Sequence, residues 1–122
     1  MRILVGVGAS DGSLRALEQT VERAVEAGDE LTVAIIEDDS PDRSTDEIES
    51  RVEAALDSGT VDAEVRHVDD EPGSELVTIA ESEGFDRIVL SGGTTSPMGK
   101  IKIGSIAEFV LLNSHVSVTL IR

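Results

Sequence analysis

The sequence predicts a single-domain α/β sandwich in which one parallel sheet is covered by helices on both faces. Apolar runs too short for helices alternate with segments whose apolar residues recur at helical spacing, which gives five strands and no internal linker. A chain of 122 residues that is 39% hydrophobic is long enough to bury one core. We therefore expect one domain over residues 1–122.

The first strand–helix unit begins at residues 2–7 (RILVGV), an apolar run that reads as a buried strand. Ser10 or Asp11 can cap the helix that follows, and Gly28 supplies its end. The expected inward positions of this helix are Leu14, Leu17, Val21, Ala24 and Val25.

The second unit starts with the apolar strand Leu31–Ile36. Ser44 and Glu47 have capping-box spacing, and the helix after them ends at Gly59. Its inward face is Ile48, Val52 and Leu56. Residues 61–68 (VDAEVRHV) then alternate apolar with polar, which indicates an edge strand with one wet face.

Pro72 opens a third helix, where its missing N–H is harmless, and Gly84 closes it. Ile88–Leu90 is the fourth strand, Ser105–Asn113 the last helix, and Val116–Ile121 the fifth strand. The fifth strand is apolar on both faces, so an exposed edge there would be an aggregation hazard. The third helix has Leu76, Ile79 and Ala80 facing inward. The last helix has its apolar residues at Ile106, Phe109, Val110 and Leu112.

The charge of the chain excludes some classes of partner. A net charge of −15 opposes nucleic-acid binding, which needs a basic surface, and no apolar run is long enough to span a membrane. Acids outnumber bases 25 to 10 while lysine is nearly absent, a pattern typical of proteins from a high-salt cytoplasm. With no cysteine and no signal peptide, the expected location is cytoplasmic.

One stretch, residues 87–105 (RIVLSGGTTSPMGKIKIGS), differs from this acidic background. It holds the only two lysines, Lys100 and Lys102, and it leads from a strand through a Gly/Ser/Thr loop to a helix N-terminus at Gly104-Ser105. Backbone N–H groups and the positive end of a helix dipole form an anion site, most often for phosphate. The loop after the first strand, residues 8–13, is also rich in small residues. If strands one and four are neighbours, both loops line one crevice. The alternative is that these glycines only form tight turns.

No standard phosphate-binding motif is complete in this sequence. The loop lacks the first glycine and the hydroxyl residue of a Walker sequence, and Gly6, Gly8 and Gly12 match a dinucleotide fingerprint with one residue too many. No nucleophile–base pair, metal cluster or carboxylate dyad stands out. His67 and His115 have no acidic partner arrangement nearby in sequence, so a structural role is favoured for both.

The spacing resembles that of the universal stress protein (UspA-like) family. The matching pattern is Ser91-Gly92-Gly93-Thr94, nine residues, then Gly104-Ser105, and the likeness extends to the opening RILVGVGASDGSLRALEQT and to EPGSELVTIAESEGFDRIVLSG. The resemblance implies a Rossmann-like three-layer sandwich with a five-stranded parallel sheet in the order 3-2-1-4-5. It also implies that ATP or another adenine nucleotide binds between the loops after strands one and four.

The resemblance assigns site residues one by one. Gly104 and Ser105 match the family's phosphate-binding pair, whereas Ser91 and Thr94 stand where ATP-binding members have glycines. Gly8 stands where those members carry an aspartate, and Ile35 is the expected apolar wall for the base. The complete set of candidate nucleotide-binding residues is Gly8, Ala9, Ile35, Ser91, Gly92, Thr94, Gly104 and Ser105.

Three functions are consistent with the sequence. The leading one is a cytoplasmic stress-response protein that binds an adenine nucleotide as a regulatory signal. The second is an interaction module of the same fold without a nucleotide site, and the third is an enzyme that hydrolyses the nucleotide slowly. In all three a homodimer through Val116–Ile121 is expected, because the family commonly pairs this strand across a two-fold axis.

Overall fold

The structure, a computed structural model, describes residues 1–8, 11–36, 44–59, 61, 63–92, 94–95, 101–102 and 104–121. The main strands are β1 (Arg2–Val7), β2 (Glu30–Ile36), β3 (Ala63–Val68) and β4 (Arg87–Ser91). Two short strands, β5 (Thr94–Thr95) and β6 (Ile101–Lys102), precede the last strand, β7 (Ser117–Ile121). The helices are α1 (Asp11–Ala27), α2 (Thr45–Gly59), α3 (Pro72–Ser82) and α4 (Ser105–Asn113).

The main sheet has five parallel strands in the order β3-β2-β1-β4-β7. This confirms the predicted 3-2-1-4-5 topology, in which β7 is the fifth main strand. The sequence did not predict the antiparallel pairing of β5 with β6, which places Thr94 opposite Lys102 inside the stretch interpreted as a loop.

The two faces of the sheet are covered by different helices, which confirms the three-layer arrangement. One apolar cluster packs α1 and α2 on the side chains of Ile3, Val5, Val33 and Ile35. The other packs α3 and α4 on Leu4, Ile36, Ile88 and Leu90. In the described part of the chain, no helix combines the length and the apolar character needed to cross a bilayer.

Local sequence signals explain most of the helix boundaries. The backbone N–H of Glu47 donates to Ser44 Oγ at 3.3 Å, as capping-box spacing predicts, and Pro72 occupies the first turn of α3. Gly28 and Gly84 follow their helices with φ of 71° and 73°, a left-handed conformation that glycine adopts without strain.

The helical periodicity was wrong at a few positions. Val25, expected to face inward, is 50% exposed, because it lies beyond the line along which α1 contacts the sheet. On α4 only Ala107 and Val110 are buried, while Phe109 and Leu112 are exposed. Both discrepancies leave apolar side chains at the surface.

Candidate functional site

The predicted crevice lies where the connections leave β1 and β4. These strands are hydrogen-bonded neighbours, with Ile3, Leu4 and Val5 opposite Arg87, Ile88 and Val89. From β1 the chain enters α1 on one face of the sheet, and from β4 it proceeds to α4 on the other. The two connections therefore diverge at the carboxyl edge of the sheet, which is where open α/β folds bind ligands.

A cleft of about 260 Å³ occupies this position. All of its described lining residues are small or aliphatic and none is charged, although the chain carries 25 acidic residues. An anion can therefore approach here without meeting a carboxylate from the described wall. The lining residues are Gly6, Gly8, Ser13, Ile36, Leu90, Ser91, Gly104, Ser105, Ile106 and Ala107.

The N-terminus of α4 forms the electropositive side of the cleft. Gly104 is the N-cap, in extended conformation with φ −65° and ψ 156°, and no side chain among the described residues caps the helix. The first intrahelical bond runs from the Glu108 N–H to the Gly104 carbonyl at 2.9 Å, so the N–H groups of the preceding turn have no helical acceptor. A Cβ added to Gly104 would meet no described atom within 4 Å, so the described residues leave the approach to these donors open.

The opposite side of the cleft is held by a contact between β1 and α1. The backbone N–H of Gly8 donates to Ser13 Oγ at 2.7 Å, and Ser13 is buried. Ser13 belongs to the stretch 8–13 that was expected to line the crevice, and the contact fixes the end of β1 against the first turn of α1. Gly6 is a further residue that the sequence interpretation did not assign to the site. A Cβ there would lie 2.5 Å from Leu90 Cδ2, so its lack of a side chain makes room for the cleft floor.

Four of the eight candidate site residues, Gly8, Ser91, Gly104 and Ser105, line this one cleft. Gly92 is placed differently: it is buried, and its N–H donates to the Ile121 carbonyl at 2.9 Å, which commits that donor to β7. Thr94 lies in β5, where the structure describes its backbone. Ala9 lies outside the described residues, as does Lys100.

Ile35 is not at the cleft. Its side chain is completely buried in the cluster beneath α1 and α2, whereas Ile36, one residue further on, lines the cleft. Successive side chains of a strand point to opposite faces, so the expected wall is displaced by one position. An uninterrupted apolar run such as LTVAII has no alternation from which the correct face could be read.

A second cavity of about 320 Å³ adjoins the cleft, because Ser105 and Ile106 line both. Its other walls come from residues 71–74 at the start of α3 and from the half-exposed ring of Phe109. Gly73 allows the Phe109 ring to approach α3, because a Cβ at position 73 would lie 3.0 Å from the ring. The N-terminus of α4 is thus reached from two sides.

The titratable groups with shifted pKa values lie elsewhere. Hydrogen bonds from Arg66 lower the pKa of Glu83, and the same contacts raise the pKa of Arg66. A hydrogen bond to Asp29 raises the pKa of the Met1 ammonium. All these groups are outside the cleft lining.

Both histidines have acidic partners that the sequence did not indicate. His67 Nε2 lies 2.5 Å from Glu49 Oε1, and His115 Nδ1 lies 2.5 Å from Glu81 Oε1. These partners are distant in sequence, so no local sequence pattern indicates them. Across the described residues, no three His, Cys, Asp or Glu side chains are grouped as a metal ion would require.

Comparison with known proteins agrees with this architecture. The whole chain, residues 1–122, matches the model of the Universal stress protein family. A search of curated proteins gives no significant match.

Solved structures share the fold at low sequence identity. A universal stress protein from Archaeoglobus fulgidus is similar with a TM-score of 0.80 and 24% identity, covering 100% of this chain and 98% of that one. The same organism's protein in complex with dAMP gives 0.74 and 22%, with the same coverage. A universal stress protein in complex with cAMP gives 0.78 and 23%, covering 100% of this chain and 96% of that one.

Proposed function

Because the chain belongs to the universal stress protein family, we propose that it is a regulatory stress-response protein that binds an adenine nucleotide in the cleft where the connections leave β1 and β4. The observation that carries the proposal is the N-terminus of α4, which no described side chain caps and which opens into a cleft whose described walls have no charged side chain. A phosphate placed there accepts hydrogen bonds from N–H groups that otherwise have no helical acceptor. Related structures in complex with dAMP and cAMP support the choice of ligand.

The cleft also provides separate surroundings for the two parts of a nucleotide. Gly104 and Ser105 offer backbone donors and a hydroxyl to the phosphate, while Ile36 and Leu90 offer apolar surface to the base. The described walls contain no general acid or base, so we propose binding as a signal rather than turnover. The cytoplasm is the proposed location.

A test of the phosphate subsite is the substitution Ser105→Asp. A carboxylate in the first turn of α4 favours the helix dipole, so the free energy of unfolding should stay equal or rise by about 0.5 kcal/mol. The same charge repels a phosphate, so calorimetric titration with AMP, cAMP and ATP should show a loss of affinity of about tenfold or more. Binding of adenosine, which has no phosphate, should change much less.

The control is Gln19→Glu, which adds the same charge at an exposed position of α1 outside the cleft lining. It should leave every affinity unchanged. The proposal is wrong if the wild-type protein, titrated in high salt, binds none of these nucleotides and none co-purifies. It is also wrong if Ser105→Asp and Gln19→Glu reduce binding equally.

The alternative function, an interaction module without nucleotide, is favoured by one observation. The Gly92 N–H is already bonded to Ile121, so one of the glycines expected to approach the ligand offers no free donor. Absence of nucleotide binding together with a stable dimer would support this reading.

We also propose that β7 pairs with its copy in a homodimer. The other sheet edge, β3, is protected by charge, because Arg66 bridges Glu64 and Glu83. In β7 four of five side chains are half-buried, and Leu112 on the adjacent helix is 77% exposed.

A lysine on this edge, Thr119→Lys, should lower the mass measured by sedimentation from dimer to monomer, while Thr78→Lys on α3 should not. A monomeric wild-type protein would contradict the proposal.

A further inference from the structure

A groove of about 760 Å³ lies between α1 and α2 and shares no described lining residue with the nucleotide cleft. Val21, Val25, Ala54 and Ala55 give it an apolar floor. Val25 is 50% exposed, although a valine in this position of an amphipathic helix is expected to be covered. The floor therefore presents apolar surface that the protein's own fold does not cover.

The close approach of the two helices depends on Gly59. A Cβ at this position would lie 2.4 Å from Val21 Cγ1, so the end of α2 can rest on α1 only without a side chain there. The helices meet tightly at this end and leave the groove beside it. The groove is thus a fixed feature of helix packing.

Three carboxylates form one rim of the groove. Glu18, Glu22 and Glu26 follow one another at four-residue spacing along α1, over about 12 Å of helix. Arg51 is the single base among the described lining residues. Within the described part of the chain, none of these four groups forms an ion pair, so the charges of the rim are available to a partner.

We infer that this groove, the α1–α2 groove, docks a basic amphipathic helix of a partner protein. Helix-in-groove recognition places apolar side chains at three- and four-residue spacing on an apolar floor. Lysine or arginine residues at four-residue spacing along one edge of such a helix would face Glu18, Glu22 and Glu26. A second copy of this chain is a poorer occupant, because each copy carries a net charge of −15.

The test uses a synthetic helical peptide of about 18 residues with leucine and alanine on one face and lysine at four-residue spacing along one edge. Its control has the same composition with the lysines distributed around the helix. Binding is measured by fluorescence anisotropy in low and moderate salt, and amide chemical shifts of the protein map the contact. We expect the patterned peptide to bind better than the control and to shift amides of α1 and α2.

Two variants identify the groove. Glu22→Lys reverses the middle rim charge and should weaken binding about five- to tenfold at low salt, with a smaller effect as salt rises. Val25→Ser removes the exposed apolar floor and should weaken binding at both salt concentrations. Glu53→Lys makes the same charge change on α2 at an exposed residue outside the groove lining, and should have less than a twofold effect.

The inference is overturned if Glu22→Lys and Glu53→Lys weaken binding equally, because the peptide is then attracted only by the overall charge. It is also overturned if both peptides bind alike, or if the shifted amides lie at the nucleotide cleft. Self-association that Val25→Ser abolishes would instead identify a second copy as the occupant. Nucleotide titration of Glu22→Lys should remain unchanged, so this test and that of the nucleotide site are independent.

Discussion

The two ends of the main sheet are built from opposite kinds of residues. At the amino ends of the strands, charged groups link the chain to itself. The Arg2 N–H donates to Asp86 Oδ2 at 2.8 Å, and the Asp86 N–H donates to the Arg2 carbonyl at the same distance. The Arg2 guanidinium donates to the Glu83 carbonyl and lies 4.5 Å from the centre of the Phe85 ring.

At the carboxyl ends, the cleft is lined by glycine, serine, alanine and aliphatic side chains. Polar groups here include the N–H donors of the first turn of α4, which have no partner within the helix. The difference teaches that stability and binding are assigned to separate ends of one sheet. Substitutions at the amino end should therefore change unfolding and leave ligand affinity alone, and those at carboxyl-end positions with room for a side chain should do the reverse.

The largest effect on stability is expected at Gly6. This residue lies at the carboxyl end of β1, but Leu90 and Leu76 pack directly against its backbone. We expect Gly6→Val to lower the free energy of unfolding by about 2–3 kcal/mol, since its Cβ would lie 2.5 Å from Leu90 and 3.3 Å from Leu76. Chemical denaturation measures the loss. Gly8→Val is the matched control, because a Cβ at position 8 would meet only Ser13 Oγ, at 3.9 Å. Equal losses in the two variants would contradict this assignment.

Arg2→Ala tests the amino end. The substitution removes the bond to the Glu83 carbonyl, the contact with the Phe85 ring and an ion pair with Glu30 at 3.5 Å. These contacts are partly exposed, so the expected loss of stability is about 1 kcal/mol. Nucleotide affinity should not change. Arg15→Ala, at an exposed position of α1, should leave both quantities as they are. A weaker nucleotide affinity in Arg2→Ala would break the separation of the two ends.

Gly8→Asp tests the carboxyl end in the direction of tighter binding. The family resemblance places an aspartate here in ATP-binding members, and the space beside Gly8 admits a side chain. A carboxylate that accepts hydrogen bonds from the nucleoside should increase affinity for AMP about tenfold in calorimetric titration. Gly8→Ala, which has no acceptor, should bind like the wild type. Weaker binding by Gly8→Asp would mean that the phosphate, not the nucleoside, lies next to β1.

The fold was predictable because local signals and the apolar pattern agree with each other. Strand–helix alternation, Pro72 and the glycines after α1 and α3 define the elements, and the resemblance supplied the strand order that the structure shows. The site was predictable as a position, since a β1–β4 switch point follows from that order. Its individual contacts were not, for physical reasons that differ from residue to residue.

Ile35 and Ile36 show the limit most clearly. Both are apolar and both are buried by the fold, so sequence cannot tell which one faces the cleft. The Gly92 N–H donates to the carbonyl of Ile121, nearly 30 residues later, and His67 pairs with Glu49 on another element. Contacts of this kind depend on how elements are arranged in space, which local composition does not record.

The pH dependence of stability is the smallest expected effect, and it involves Glu83, whose carbonyl accepts from Arg2 at the amino end. Arg66 holds the pKa of Glu83 below its ordinary value by hydrogen bonding. A carboxyl with a lowered folded-state pKa stabilises the fold above its unfolded pKa and loses that contribution as the pH falls through the folded value. Denaturation of the wild type and Glu83→Gln should therefore differ at pH 7 and converge towards pH 3. Because the pair is exposed, 1 M salt should shrink the difference at pH 7. Glu53→Gln, outside any described ion pair, should track the wild type throughout. A gap between wild type and Glu83→Gln that stays constant from pH 7 to pH 3 would show that the Arg66 contact does not stabilise this end of the sheet.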